Sequence, residues 1–192
     1  MNTATATTSN DAPFFGFWLY LMSDCLLFGA LFAAYAVLHG NTFGGVSAAG
    51  LFSLPYAFVE TLLLLTSSFL CGLAVLAAHR NRPKLAAAAL VLTLALGLSF
   101  LGMEVFEFHR FVAAGHGWQQ SAFLSSFFTL VGTHGLHVAA AAVWMILLLV
   151  HLWRTGLSAG NLRRLTLLSL FWHFLDVIWI FIFTFVYLWS VL

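Results

Sequence analysis

Five apolar runs constrain this 192-residue chain more than any other feature. They extend approximately from Phe14 to Leu38, Leu54 to Ala78, Leu85 to Phe111, Ala122 to Trp153 and Leu165 to Leu192. A hydrocarbon core of about 30 Å is crossed by about 20 apolar residues of helix, so each run is long enough to span a bilayer. Lipid offers no hydrogen bonds to a bare backbone, and runs of this length without period-2 alternation satisfy it as α-helix. Composition agrees: 62% of residues are hydrophobic and 7% charged, against about a quarter charged in soluble domains. The expected fold is all-α, a polytopic bundle of five transmembrane helices. Residues 1–13 form a polar tail with a short disordered start, and residues 14–192 form one membrane domain. The tail has no Lys or Arg and the first run is too long for a signal-peptide core, so no cleavable signal is expected.

The connectors are short and carry the cations. Arg80, Arg82 and Lys84 fall in the second, and Arg154, Arg163 and Arg164 in the fourth; the third has only Arg110 and the first none. Positive charge stays on the cytoplasmic side, which predicts a cytoplasmic N-terminus and a periplasmic C-terminus. A net charge of +1 supplies no field for nucleic acid. Cys25 and Cys71 lie in apolar runs without zinc or redox spacing and read as small buried hydrophobes. Trp18, Trp118, Trp153 and Trp189 suit headgroup-level anchoring.

Against that background the ionisable residues stand out. Helical rise places Asp24, His134 and Asp176 near the bilayer midplane, with His137 and His173 about one turn to the cytoplasmic side. Glu60, Glu104 and Glu107 form a second level near the outer face. An ionisable group at the bilayer centre costs about 2.5 to 3.5 kcal/mol on insertion scales, so these side chains should face the bundle interior. Interhelical hydrogen bonding and proton handling are both open as their role. His173 and Asp176 share a helical face and can serve each other. In GTHGLHVAAAAVW, Gly132, Gly135 and Ala139 are spaced for close helix approach, with His134 and His137 bonding across the seam; Ser67, Ser68 and Gly72 suit the same use in the second span.

Other chemistries fit less well. A di-iron carboxylate bundle uses Glu-x-x-His, and neither Glu104 nor Glu107 has a histidine three residues on. A bis-histidine haem between His134 or His137 and His173 stays open as a haem-b membrane anchor. A small transporter would break its helices at midplane, whereas Pro13, Pro55 and Pro83 sit at span ends.

In chain order, FWLYLMSDCLLFGALFAAYAVL, FVETLLLL, GMEVFEFHRF, FFTLVGTHGLHVAAAAVWM and LSLFWHFLDVIWIFIFTFVYL resemble the segments of subunit III of haem–copper terminal oxidases. The resemblance covers essentially all of the chain after the tail. The five-span form is most similar to the quinol oxidase branch, the cytochrome o ubiquinol oxidases, with the cytochrome c oxidase branch as the alternative.

The resemblance implies a non-catalytic subunit in the bacterial cytoplasmic (inner) membrane, in an oxidoreductase complex that reduces oxygen to water and pumps protons. It implies that haem and copper lie in partner subunit I, that subunits II and IV are further partners, and that phospholipid is bound in a cleft. By the same resemblance Asp24 takes the place of an intramembrane carboxylate of the first shared helix. Glu104 and Glu107 match paired acids, His134 and His137 an HGLH pair, and Trp172, His173 and Asp176 a WHF-D element. No catalytic, metal or cofactor-binding residue is expected on this chain, whose work would be assembly, lipid binding and stable proton uptake by subunit I.

Overall fold

The computed structural model describes residues 8–42 and 52–189. Most of the first connector, the first seven residues and the end of the fifth run lie outside them. The described chain is all helix: α1 (Thr8–Leu38), α2 (Leu54–His79), α3 (Pro83–Ala113), α4 (Ala122–Thr155) and α5 (Ala159–Ile182), the last continuing into a π-helical turn, Phe183–Leu188. Five segments are long and apolar enough to cross a membrane: Phe14–Leu38, Leu54–His79, Pro83–Ala113, Ala122–Thr155 and Ala159–Leu188.

The ends run slightly past the apolar runs for local reasons. Helix α1 begins upstream of the first run, at Thr8, because each added residue of an existing helix gains one backbone bond whatever the solvent. The tail expected to be disordered is therefore helical over its last residues. Pro55 and Pro83 occupy the first turns of α2 and α3, where a missing N–H costs nothing. Ser121 and Ser158 cap α4 and α5 by accepting from the backbone N–H of Leu124 and Asn161. The α2–α3 reversal turns through Asn81 at φ 54°, a left-handed position that asparagine tolerates.

Helix α5 is the hub, packed on α2, α4 and α1. Helices α2 and α3 form the closest-packed pair, α3 also meets α4, and α1 leans mainly on α4. Alternation in direction shows in the cross-links. Tyr56, at the start of α2, donates to the carbonyl of Met103 late in α3, and Trp179, late in α5, donates to Thr61 early in α2. Because α1 presents one side to the bundle, Trp18, Met22 and Leu26 face outward with Cys25, which is exposed rather than buried. Cys71 is buried in α2.

Candidate functional site

The polar groups fall into three clusters, each at a seam between helices. Between α1 and α4, Asp24 is buried with one carboxylate oxygen 3.8 Å from His137 Nε2. His137 Nδ1 lies 2.7 Å from the carbonyl of Thr133, which can only accept, so Nδ1 carries the proton and Nε2 is the nitrogen turned to Asp24. Tyr20, one turn before Asp24, adds its hydroxyl beside the carboxyl, and Phe28 lies 5.3 Å from the His137 ring. The arrangement can hold or pass a proton between carboxyl and imidazole, and it equally ties the most peripheral helix to the bundle.

The second cluster lies between α2, α3 and the π turn. Glu60, Glu104 and Glu107 are all buried and near one another. The Tyr187 hydroxyl donates to Glu107 Oε2 at 2.8 Å, and Arg110 approaches Glu107 Oε1 at 4.0 Å while lying over the Tyr56 ring. The wide π turn places the adjacent residues Val186 and Tyr187 both inward, which brings Tyr187 into reach of Glu107. Glu104 lies flat against α4: a Cβ at Gly135 would sit 2.7 Å from both of its carboxylate oxygens. Only glycine at 135 leaves that room. The oxygens of Glu60 and Glu104 make no hydrogen bond among the described residues.

The third cluster joins α2 to α5. Trp172 Nε1 donates to Ser67 Oγ and Trp179 Nε1 to Thr61 Oγ1, each at 3.0 Å between buried groups. Asp176 is buried beside Ser68, without a hydrogen bond of ordinary geometry. The shared face expected for His173 and Asp176 is not realised. His173 is exposed and donates from Nδ1 to its own helix, at the Ser169 carbonyl 2.6 Å away. Positions three apart differ by about 60° around a helix, enough here to bury Asp176 and leave His173 exposed at the seam's edge, its Nε2 4.0 Å from the Cβ position of Gly72 on α2.

Nor does His134 bond across a seam. It is fully buried with neither ring nitrogen hydrogen-bonded, and its ring lies 5.3 Å from Trp179, 6.0 Å from Phe100 and 6.4 Å from Phe28. These aromatics occupy the surroundings a haem would need. Among the described residues no group of three or more His, Cys, Asp or Glu side chains could hold a metal ion. Gly132 meets Phe108 of α3, so the small-residue seam of α4 is directed at α3 through Gly132 and Gly135.

Several partners here lacked a sequence signal. Tyr187, Tyr56 and Thr61 carry no motif that sets them apart from other polar residues in the apolar runs, and only their neighbours single them out. Gly97 is the clearest: the Trp172 indole covers it so closely that a Cβ would lie 2.6 Å from a ring carbon. Its only signal was a glycine in a helix interior, which it shares with Gly102 of the same helix.

A groove of about 480 Å³ opens between the C-terminal halves of α1 and α5, walled by Phe32, Phe181 and Phe185, with Tyr35, His39 and Trp189 at its polar end.

A family profile described as cytochrome c oxidase subunit III matches residues 4–191. Cytochrome bo(3) ubiquinol oxidase subunit 3 of Pseudomonas aeruginosa is 56% identical over 183 residues, covering 95% of this chain and 88% of that one. The protein of the same name from Pseudomonas putida is 48% identical, over 96% of this chain and 89% of its own. Cytochrome c oxidase subunit 3 of Bacillus sp. (strain PS3) is 44% identical, over 95% and 88%.

Proposed function

Since the chain belongs to the cytochrome c oxidase subunit III family, we propose that it serves as subunit III of a proton-pumping ubiquinol oxidase of the bo(3) type. The observation that carries this reading is the 56% identity, sustained over 95% of the chain, to a subunit of that name. In this reading oxygen reduction belongs to subunit I with its haem and copper, and the chain lies in the bacterial inner membrane with its N-terminus cytoplasmic. Subunit I is its main neighbour, with subunits II and IV in the same complex.

Its own contribution is mechanical and lipid-dependent. The α2–α5 indole bonds and the Glu107–Tyr187 bond fix the bundle, since breaking any of them strands a buried polar group in a region without water. The α1–α5 groove is apolar along its length and polar at one end, the pattern of a phospholipid. The Asp24–His137 pair sits at the edge of the bundle, where it ties α1 in place; structural support is its main role in this reading, with proton exchange as the alternative.

The alternative within the family is subunit III of a cytochrome c oxidase, favoured by the 44% identity to the Bacillus protein. One experiment separates the two. The affinity-tagged chain is purified from its native membranes in mild detergent, its partners are identified by mass spectrometry, and oxygen uptake is measured with ubiquinol and with reduced cytochrome c. Co-purification of a haem-bearing subunit I and uptake with ubiquinol alone are expected; uptake with cytochrome c alone would overturn the assignment.

A further inference from the structure

A second groove, of about 280 Å³, runs along the outer side of the α2–α3 hairpin. Its floor is Ala77 and Ala89, both buried, and its walls are the half-exposed leucines Leu73 and Leu76 of α2 with Leu85 and Leu92 of α3. Small residues on the floor and branched ones on the rim make a channel rather than a ridge. At its end stand Arg80 and Arg82, either side of the Asn81 turn and both exposed.

Neither guanidinium forms an ion pair among the described residues, whose only such pairs are Arg110–Glu107 and His137–Asp24. The chain has six acidic residues, and none falls between Glu60 and Glu104, the stretch that builds the groove. Two forked donors are therefore held without a counter-charge at the mouth of an apolar channel. Arginine at such a place matches a phosphate, which it can grip with two parallel hydrogen bonds.

Length and charge together point to what fills the channel. From Arg80 to Leu70, its deepest lining residue on α2, the helix rises about 15 Å, half of the 30 Å hydrocarbon core. That length suits a single hydrocarbon chain of one leaflet lying along the alanine floor with its headgroup at the arginines, and the two unpaired guanidinium groups call for an anionic occupant.

We propose that the α2–α3 groove seats an anionic diacyl phospholipid, one acyl chain lying between the leucines and the phosphate held by Arg80 and Arg82. The groove is separate from the α1–α5 groove, whose lining among the described residues has no Lys or Arg. The basic end of the bundle places this lipid in the cytoplasmic leaflet. The inference rests on reading the chain as a lipid-embedded oxidase subunit, and the two fail in different observables.

The test uses the purified oxidase complex exchanged into nanodiscs of equal phosphatidylglycerol and phosphatidylcholine. Native mass spectrometry then counts lipids per copy of this chain, and subunit stoichiometry is read from the same spectra. Wild type should retain a phosphatidylglycerol that the double variant R80Q/R82Q loses, with preference over phosphatidylcholine falling on the order of tenfold. Ala88→Trp, at an exposed wall position, should expel the lipid with both arginines in place. Arg154→Gln, at the other basic connector, should leave the count unchanged. Equal phosphatidylglycerol retention by wild type and R80Q/R82Q in intact complexes would overturn the proposal. So would crosslinking of Leu73→Cys to a partner subunit in place of a photoreactive acyl chain. Loss of subunit I from the preparation would instead count against the subunit assignment.

Discussion

Replacing Gly97 by alanine tests the closest packing in the bundle. The added Cβ would lie 2.6 Å from Trp172 Cη2 and 2.7 Å from Cζ2, against about 3.5 to 4.0 Å for carbon atoms in good contact. Either α3 or the indole must retreat by about 1 Å, and neither is free to do so. The indole is fully buried and tied through Nε1 to Ser67 on α2, so moving it also weakens that 3.0 Å bond. Overpacking of this kind costs about 1 to 3 kcal/mol, and a lost buried hydrogen bond adds about 1 kcal/mol. Alanine's better helix propensity returns at most about 1 kcal/mol, leaving a net loss of about 1 to 3 kcal/mol. Gly102, five residues along the same helix, has nothing within 4 Å of its Cβ position, so Gly102→Ala should be neutral or slightly stabilising. Adding Trp172→Phe to Gly97→Ala should recover part of the loss, because the smaller ring clears the new methyl. The assay is retention of this subunit in the purified complex through an SDS titration, followed on native gels. Gly97→Ala unfolding at the same SDS fraction as Gly102→Ala would refute the reasoning.

Other variants probe the remaining clusters. Thr61→Val leaves the buried Trp179 N–H without its acceptor and should cost about 1 to 3 kcal/mol by the same titration; an unshifted midpoint would remove that bond from the account. Tyr187→Phe strands Glu107 Oε2 and should cost a similar amount, about 1 to 3 kcal/mol, while Glu107→Gln, which keeps an acceptor for the tyrosine, should cost less; the reverse order would be inconsistent with the hydrogen bond. Asp24→Asn keeps the size of the side chain beside His137, so the complex should assemble and show normal oxygen uptake and proton pumping; intact assembly with weak pumping would make Asp24 a proton-handling group. Metal analysis and an optical spectrum of the separated chain should give no stoichiometric haem or copper, and one iron or copper per molecule would contradict the non-catalytic reading.

Much about this protein is fixed along the chain itself. Whether a segment enters lipid depends on a sum over about 20 residues against a bilayer of given thickness, and no tertiary contact alters that sum. The five spans and the all-helical class were legible for that reason. Helical rise likewise gives each ionisable residue an expected depth without any tertiary contact.

Which residues meet was decided only in three dimensions. In a soluble helix an apolar stripe marks the buried side, but here the lipid-facing side is as apolar as the interior, so the pattern does not reveal how each helix is rotated. His173 and Asp176 lie one turn apart on α5 and both looked inward-facing, yet the rotation of α5 buries Asp176 and leaves His173 exposed at the edge of the α2 contact. His134 looked like a seam-bonding histidine, but the approach of Trp179, Phe100 and Phe28 encloses it in aromatic rings. Gly97 and Trp172 lie 75 residues apart, and Glu107 and Tyr187 meet across 80; each pair exists because helix packing sets both axial register and rotation. Depth is a property of the chain in its solvent, whereas contact is a property of how five similar cylinders turn toward one another.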